Sequence, residues 1–258
     1  MILSSEKLWE SVTGGVVLKC NAKLVAKIIR VNDDYTEYTT LQYLATHAAD
    51  LPVPKPHGLV RFGSARIMFM TYFPNMTLEA AWSGLTIENK VGIQVQLDGI
   101  FTKLRTLKGE GRFGGVNGEG VRDDHREDHT SQAIITTIAE FEDFQFSIPP
   151  YSRMPWIMFL RSLLPSASSG TVFTHGDVRT ANIMVDRDES GDYFVTGVID
   201  WETSEFYPEY FESSKILYLF NVHDQSDWWR YIPECIAPAK HPERWLVGRL
   251  WNQCVTRD

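Results

Sequence analysis

The segment from Thr174 to Trp201 restricts what this chain can fold into more than any other part of it. It reads T-H-G-D-V-R-T-A-N-I-M-V-D, then an acidic turn, then Y-F-V-T-G-V-I-D-W. Two β-rich runs on either side of D-E-S-G-D predict a β-hairpin. Asn182 opens the first strand of this hairpin and Asp200 follows the second, so the hairpin brings the two residues to one end. Asp177 lies on the loop that enters the hairpin.

The three polar side chains of this segment suit phosphoryl transfer. Magnesium binds carboxylate and amide oxygens and keeps phosphate oxygens and waters as its other ligands, so Asn182 and Asp200 are candidate metal ligands. Asp177 can orient a substrate hydroxyl and accept its proton, and the remaining catalysis is positioning and charge neutralisation. An Asp followed after four residues by an Asn is also the spacing of the kinase catalytic loop. From this spacing alone, an acidic hairpin in an unrelated α+β protein stays an open alternative.

The motif H-G-D-x-x-x-x-N, followed by I-D-W, resembles the aminoglycoside phosphotransferase and choline kinase superfamily. The sequences I-D-W-E and F-Y-P-E-Y are similar to those of the fungal branch of phosphotransferase-domain proteins. The resemblance extends over nearly the whole chain. It implies an α+β, two-lobed, protein-kinase-like fold with the nucleotide between the lobes. A small antiparallel sheet with one helix would form residues 1–74, and a mainly helical lobe would form residues 75–258.

The N-terminal strands contain candidate nucleotide-binding residues. Gly14 and Gly15 interrupt the first strand and would let backbone amides approach phosphates, although any bulged hairpin can contain such a pair. The V-A-K-I sequence resembles the lysine-bearing strand of kinases, which implies that Lys27 pairs with the α- and β-phosphates; the alternative is a solvated edge lysine. The resemblance further implies that Glu37, in the next helix, holds Lys27 in place. Alternatively, Glu37 stabilises the dipole of that helix.

The segment M-T-Y-F-P-N resembles the family's M-E-Y-x-x-G, where the chain crosses between lobes and backbone groups recognise adenine. This resemblance implies that Met70, Tyr72 and Phe73 line the adenine site. Thr71 replaces the usual glutamate and Asn75 the usual glycine; Asn tolerates positive φ better than most residues, so the turn can survive.

Two further residues of the catalytic loop are candidates for supporting roles. His175 is expected to order the loop by hydrogen bonding rather than to exchange a proton. Arg179, beside Asp177, is expected either to stabilise the transferring phosphate or to form a structural ion pair. Val178 and Thr180 stand where relatives often have Leu and Pro, and neither change removes a chemical group.

The F-Y-P-E-Y-F sequence, residues 206–211, is predicted to begin a helix after the hairpin. Four acidic residues surround it: Glu202, Glu205, Glu209 and Glu212. In aminoglycoside-modifying relatives, acidic groups of the large lobe bind substrate ammonium groups, which makes these glutamates candidate substrate contacts. The alternative is that the aromatic residues pack the helix against the hairpin and that the acids are half solvated.

Three other segments have structural interpretations. Residues 87–108 are predicted to be helical, with Val91, Val95, Ile100, Leu104 and Leu107 in the core. The glycine-rich residues 109–120 lack the Gly-Lys-Ser/Thr sequence of a phosphate-binding loop and are expected to form a surface loop. The charge run at residues 123–129 contains two histidines, but it is expected to be solvated rather than metal-binding.

The composition excludes several classes of function. A formal net charge of -8 over 258 residues argues against nucleic acid as a partner. The chain has no apolar run long enough to span a bilayer and no signal-peptide pattern at its start, so no membrane association is expected. Its 3 cysteines are widely spaced and suggest neither a disulfide framework nor a metal cluster. A cytoplasmic location is the resulting expectation.

These observations predict a phosphotransferase that uses ATP or GTP with Mg²⁺ to phosphorylate a hydroxyl of a small molecule, for which an amine-bearing metabolite is one candidate. A catalytically silent nucleotide-binding or interaction protein on the same fold is the main alternative. A protein kinase is a weaker one, because the Asp-Phe-Gly and Ala-Pro-Glu sequences are absent. The sequence does not predict the oligomeric state.

Overall fold

The computed structural model describes residues 6–11, 15–30, 35–122, 130–147, 154–166, 170–216 and 226–255. Gly14 and the charge run at residues 123–129 lie outside them. None of the helices within the described residues combines the length and the hydropathy that crossing a membrane requires.

The chain divides into two compact units. The first unit combines Met1–Asn89 with Thr180–Glu202, and the second combines Lys90–Arg179 with Thr203–Asp258. The hairpin therefore groups with the N-terminal sheet, whereas the predicted lobes assign it to the C-terminal part of the chain. The lobe boundary after residue 74 stays a prediction.

The expected α+β class is confirmed by the elements of the described residues. The strands are β1 (Glu6–Glu10), β2 (Val16–Lys19), β3 (Leu24–Arg30), β4 (Pro56–Phe62), β5 (Ala65–Thr71), β6 (Met76–Thr77), β7 (Thr171–Thr174), β8 (Ile183–Arg187), β9 (Tyr193–Val198) and β10 (Glu205–Pro208). The helices are α1 (Thr36–His47), α2 (Leu78–Ala81), α3 (Ile87–Leu104), α4 (Ile138–Gln145), α5 (Met154–Ser162), α6 (Phe211–Lys215) and α7 (Pro242–Val255).

An antiparallel sheet in the order β1-β2-β3-β5-β4 forms the first unit's N-terminal part. Side chains alternate between its faces because successive residues of a strand point to opposite sides. In β5 this alternation buries Arg66, Met68 and Met70. Leu41 and Leu44 of α1 are also buried, one helical turn apart. Strand β3 is central, since it pairs with both β2 and β5.

The predicted hairpin is present in the first unit. Strands β8 and β9 pair antiparallel with Ile183 opposite Val198, and the turn between them closes through a bond from the Asp188 amide to the Asp192 carbonyl. Strand β6 adds a third strand by pairing with β8. The amide of Ile199 donates to the carbonyl of Asn182 over 2.9 Å, which joins the two chain ends of the hairpin as expected.

The second unit departs from expectation after the hairpin. Residues 205–208 form strand β10 rather than the start of a helix, and α6 begins only at Phe211. The cause is pairing with β7, which places Glu205 opposite Thr174 and Pro208 opposite Thr171. A proline at the end of a strand is tolerated because it withdraws only one donor from the ladder.

Helix α3 buries a different stripe from the one predicted. Ile93, Leu97, Phe101 and Leu104 are buried, whereas Val91 and Val95 are exposed. The prediction is therefore right at Leu104 and wrong at both valines. The buried set has the spacing of one helical face, and the valines lie outside it.

Aromatic residues form the core cluster around α4 in the second unit. The ring of Phe141 lies 5.5 Å from those of Phe113 and Phe211 and 5.9 Å from that of Tyr207. A second cluster joins α5 to α7 through Ile157, Leu160, Val247 and Trp251. Helix α4 begins at a capping box in which the Thr137 hydroxyl accepts from the Glu140 amide.

Glu205 of β10 is buried beside a single arginine. Only 1% of Glu205 is exposed, so its expected half-solvation is wrong. Its Oε1 accepts from Nε of Arg122, and its Oε2 from the Arg122 amide, each over 3.3 Å. Burial raises the pKa of Glu205 to about 7, although Arg122 pulls that pKa down.

The raised pKa of Glu205 predicts a pH-dependent stability. Between the ordinary value of 4.5 and about 7, the folded protein holds a proton that the unfolded chain has released. Stability therefore falls as pH rises through this window. In wild type the free energy of unfolding should fall by on the order of 1–3 kcal/mol across this pH window, because one pKa unit corresponds to about 1.4 kcal/mol. Replacing Glu205 by Gln should remove this fall.

Urea denaturation at pH 5 and pH 8 measures this difference. Glu209→Gln is the matched control, since the Glu209 side chain is 52% exposed, and it should keep the wild-type pH slope. Equal slopes for Glu205→Gln and wild type would contradict the assignment.

Candidate active site

Lys27 lies at the centre of an ionic cluster in the first unit. Its Nζ is 2.8 Å from Oε2 of Glu37, 2.7 Å from Oδ1 of Asp200 and 3.0 Å from Oε2 of Glu202. Because β3 is a central strand and Lys27 is 7% exposed, the alternative of a solvated edge lysine is wrong. The predicted ion pair between Lys27 and Glu37 is present, and its role in nucleotide binding stays a prediction.

Opposing electrostatic effects act on this cluster. Burial lowers the pKa of the Lys27 ammonium, but the carboxylates of Glu37, Asp200 and Glu202 outweigh burial, so this pKa lies well above its ordinary value. Burial raises the pKa of Glu37 to about 7, although the charge of Lys27 opposes the rise. Lys27 is therefore held in its charged form by the acids around it.

Asp200 has an unusual backbone conformation at the end of β9. Its φ of 68° lies in the left-handed region, where a residue with a side chain is uncommon. The residues on either side fix this turn: the Ile199 amide bonds to the Asn182 carbonyl, and the indole Nε1 of fully buried Trp201 donates to the Val198 carbonyl over 2.8 Å. The turn directs the Asp200 carboxylate to Lys27.

The oxygen donors of the first unit fit a magnesium ion. Carboxylate oxygens of Glu37, Asp200 and Glu202 lie within 4.8 Å of one another. The Asp200 and Glu202 side chains are 27% and 54% exposed, whereas the Glu37 side chain is 5% exposed and paired with Lys27. Asp200 and Glu202 are thus the accessible hard ligands. Asn182, whose carbonyl accepts from the Ile199 amide at the same end of the hairpin, could supply its side-chain amide oxygen as a further metal ligand.

The second unit carries the H-G-D loop after β7. The Asp177 amide donates to Nδ1 of His175 over 3.1 Å, so Nδ1 carries no proton and a neutral ring has its proton on Nε2. The carbonyl of His175 accepts from the hydroxyls of Thr203 and Ser204 over 3.1 and 2.9 Å. His175 is fully buried, and its backbone and ring both hold the loop.

Glu212 of α6 accepts hydrogen bonds from the backbone of the same loop. Its Oε2 accepts from the His175 amide over 2.7 Å, and its Oε1 accepts from the Gly176 amide over 2.9 Å. Burial raises the pKa of Glu212, and the hydrogen bonds from the amides of Gly176 and His175 oppose that rise. With 2% exposure, Glu212 is a buried anchor of the loop, which excludes both its expected half-solvation and its use as a substrate contact.

Gly176 is required by the geometry of this loop. Its φ is +85°, and a Cβ placed on it would lie 2.6 Å from the carbonyl oxygen of Thr203. Any side chain here would push the loop away from the backbone of residue 203, because a Cβ contact below 3 Å forces a shift.

Arg179 pairs with the predicted base in the second unit. Its Nε is 3.1 Å from Oδ2 of Asp177, and both side chains are partly exposed, at 47% and 34%. The ion-pair alternative for Arg179 is therefore present in the structure. Whether Arg179 also stabilises a transferring phosphate stays a prediction.

The residues predicted to line the adenine site form the end of β5 and the segment after it. Met70 is buried, and the Tyr72 amide donates to the Lys23 carbonyl over 2.9 Å. The Phe73 ring lies directly over Gly197 of β9, where a Cβ would come within 2.8 Å of it. Gly15 lies beside the Trp9 ring in the first hairpin. Their contacts with a nucleotide stay predictions.

A model described as the phosphotransferase enzyme family matches residues 26–231 of this chain. The chain belongs to the phosphotransferase enzyme family. The matched range contains Lys27, Glu37 and the other candidate site residues of both units except Gly14 and Gly15. The comparison with curated proteins returned no match.

Solved structures show which fold this phosphotransferase family member has. One similar structure is a thermostable mutant of aminoglycoside phosphotransferase APH(4)-Ia in ternary complex with AMP-PNP and hygromycin B. It is 14% identical to this chain, and the match covers 97% of this chain and 84% of that one with a TM-score of 0.59. The streptomycin–ATP–APH(2")-IIa ternary complex is 13% identical, covering 98% and 77%, with a TM-score of 0.56. A putative fructosamine-3-kinase from Haemophilus somnus 129PT is 12% identical, covering 100% and 87%, with a TM-score of 0.58. The kinase-like α+β fold is shared with these proteins.

The sequence analysis names Glu202 and Glu212 only as candidate substrate contacts and misses the contacts that the structure gives them with Lys27 and with the H-G-D loop. Glu202 lies two positions after Asp200, and this short spacing beyond a strand end could have indicated a second carboxylate beside Lys27. Glu212 gave no such signal, because 35 positions separate it from Asp177 and only the pairing of β10 with β7 brings α6 to the loop.

Glu212→Ala should destabilise the protein by about 2–5 kcal/mol, because each buried amide left without an acceptor costs about 1–3 kcal/mol. Urea denaturation at constant pH measures the loss. Glu209→Ala, three residues earlier and 52% exposed, is the control and should cost less than about 1 kcal/mol. A Glu212 variant no less stable than the Glu209 variant would show that the carboxylate does not anchor the loop.

Proposed function

We propose that this phosphotransferase moves the γ-phosphate of ATP to a hydroxyl of a small molecule. The observation that carries the proposal is the cluster in which Lys27 contacts Glu37 and Asp200, because it joins a cation for phosphates to a carboxylate for a metal. The family membership supports the reaction class. Structures with the same fold that hold AMP-PNP or ATP support the choice of nucleotide.

The nucleotide is proposed to bind the first unit. Lys27, held by Glu37, pairs with its α- and β-phosphate oxygens. Met70, Tyr72 and Phe73 line the adenine site, and Gly15 lets a backbone amide approach the phosphates. Asp200, Asn182 and Glu202 would hold Mg²⁺, which when bound neutralises charge on the phosphate oxygens.

Asp177 is proposed as the base. It orients the acceptor hydroxyl and takes its proton as the oxygen attacks phosphorus, and the bond between phosphorus and the bridging oxygen of the β-phosphate breaks. His175 and Glu212 are positioning residues, since their hydrogen bonds fix the backbone that carries Asp177. Arg179 balances the charge of the Asp177 carboxylate before the acceptor binds.

The acceptor is proposed to be a hydroxylated, amine-bearing metabolite. Hygromycin B and streptomycin occupy two proteins of this fold, and a third is described as a fructosamine kinase. The net charge of -8 favours a cationic substrate. Of the four glutamates considered from the sequence, Glu205 and Glu212 are buried and Glu202 is assigned to the metal, which leaves Glu209, 52% exposed, to contact an ammonium group. Cytoplasmic location is proposed with this substrate class.

Titration calorimetry with AMP-PNP tests the nucleotide site. Wild type should bind the nucleotide in the presence of Mg²⁺, and Asp200→Asn should lose the magnesium-dependent part of the affinity because one hard ligand is removed. Once an acceptor is found by screening amine-bearing alcohols, Asp177→Ala should lower kcat by about 10²–10⁴-fold, the usual contribution of a general base.

Two results would overturn the proposal. Wild type that binds no nucleotide would leave a kinase-shaped protein without phosphotransfer. Asp177→Ala with wild-type turnover would remove Asp177 from the reaction while leaving the nucleotide site in place.

A further inference from the structure

Three carboxylate oxygens surround the Lys27 ammonium at hydrogen-bonding distance. Nζ donates to Oδ1 of Asp200 and to Oε2 of Glu202, and Oε2 of Glu37 lies 2.8 Å away. Two of the three ammonium hydrogens are donated to Asp200 and Glu202, and the Glu37 carboxylate is the third anion beside Nζ, as an ion-pair partner. Because three anionic oxygens lie within 3.0 Å of Nζ, a phosphate oxygen must displace at least one of them to bind Lys27 closely.

The burial of each acid decides whether its contact with Lys27 can be broken. The Glu37 side chain is 5% exposed, and both of its carboxylate oxygens are buried without a hydrogen-bond partner among the described residues, so the ion pair with Lys27 balances its charge. Removing Lys27 from Glu37 would leave a buried carboxylate with no cation, which is strongly unfavourable. The Asp200 and Glu202 side chains are 27% and 54% exposed, so water can replace Lys27 at both. Lys27 should keep Glu37 and release the other two.

The two carboxylates that can be released are also the accessible ligands for a metal. We infer that Lys27 acts as a built-in cation that occupies Asp200 and Glu202 until a metal–nucleotide complex arrives. This inference rests on the proposed function. A free divalent ion must compete with Lys27 for both acids, and the displaced ammonium has only water to bind. A nucleotide supplies phosphate oxygens for the ammonium, so metal and nucleotide bind favourably together.

This arrangement gives the metal and the nucleotide a coupling free energy. Linkage requires that each raises the affinity of the protein for the other by the same factor. The cluster therefore disfavours a state in which the metal ligands hold an ion while no phosphate is present. It also makes Lys27 a residue with two successive partners, carboxylates first and phosphate afterwards.

Removal of Lys27 should make the metal site available without nucleotide. Lys27→Met should bind Mn²⁺ alone about tenfold more tightly than wild type, within the range of about 5–150-fold that coupling between sites typically spans. Binding is measured by the loss of the free Mn²⁺ electron paramagnetic resonance signal, with no turnover required. Lys55→Met, which removes an exposed lysine of the same unit, is the control and should bind Mn²⁺ as wild type does.

Lys27→Met leaves Glu37 buried without its cation, which favours unfolding. A second variant therefore tests the same point without a buried unpaired charge. The double variant Lys27→Met with Glu37→Gln removes both charges and keeps Asp200 and Glu202, so it should show the same gain in Mn²⁺ affinity. Circular dichroism establishes that each variant is folded. If the folded double variant binds Mn²⁺ no more tightly than Lys55→Met, Lys27 does not compete with the metal.

The same titration separates this inference from the proposed function. Wild type should bind Mn²⁺ more tightly when AMP-PNP is present. Coupled binding in wild type without a gain in the Lys27 variants would overturn the inference alone. Absence of Mn²⁺ and AMP-PNP binding in wild type would overturn both.

Discussion

The site of this protein depends on one buried ammonium group. Lys27 lies on the central strand of the N-terminal sheet, and its charge compensates a carboxylate from α1, one from the end of the β8–β9 hairpin and one from the turn beyond it. Without Lys27, these acids would repel one another within 4.8 Å. The lysine therefore links three chain segments that are far apart in sequence.

The structural features that the sequence predicts either are local or follow from resemblance to a known family. The β8–β9 hairpin follows from two β-rich runs and the turn between them, and its geometry joins Asn182 to Ile199 as expected. The Lys27–Glu37 pair came from resemblance, since no local pattern connects a strand lysine to a helix glutamate. Only the hairpin is therefore encoded locally, because a short turn between two β-rich runs is visible in the residues themselves.

The parts that the sequence did not predict depend on long-range pairing. Residues 206–211 look like the start of an aromatic helix, and only the alignment of residues 205–208 with β7 makes the first part of this segment a strand. That strand buries Glu205 and brings Glu212 to the amides of His175 and Gly176. The stripe of α3 was misjudged for a similar reason: Val91 and Val95 are as apolar as buried residues, and only the surrounding structure leaves them exposed. Burial of a glutamate is a property of its neighbours, and composition does not reveal it.

A crystal structure of the protein with Mn²⁺ and AMP-PNP tests the central role of Lys27 most directly, because anomalous scattering locates the metal independently of the side chains. Mn²⁺ is predicted to bind Asp200, with Nζ of Lys27 on a phosphate oxygen and still paired with Glu37. A bound nucleotide with Nζ remaining on Asp200 and Glu202, or a metal bound away from Asp200, would contradict it.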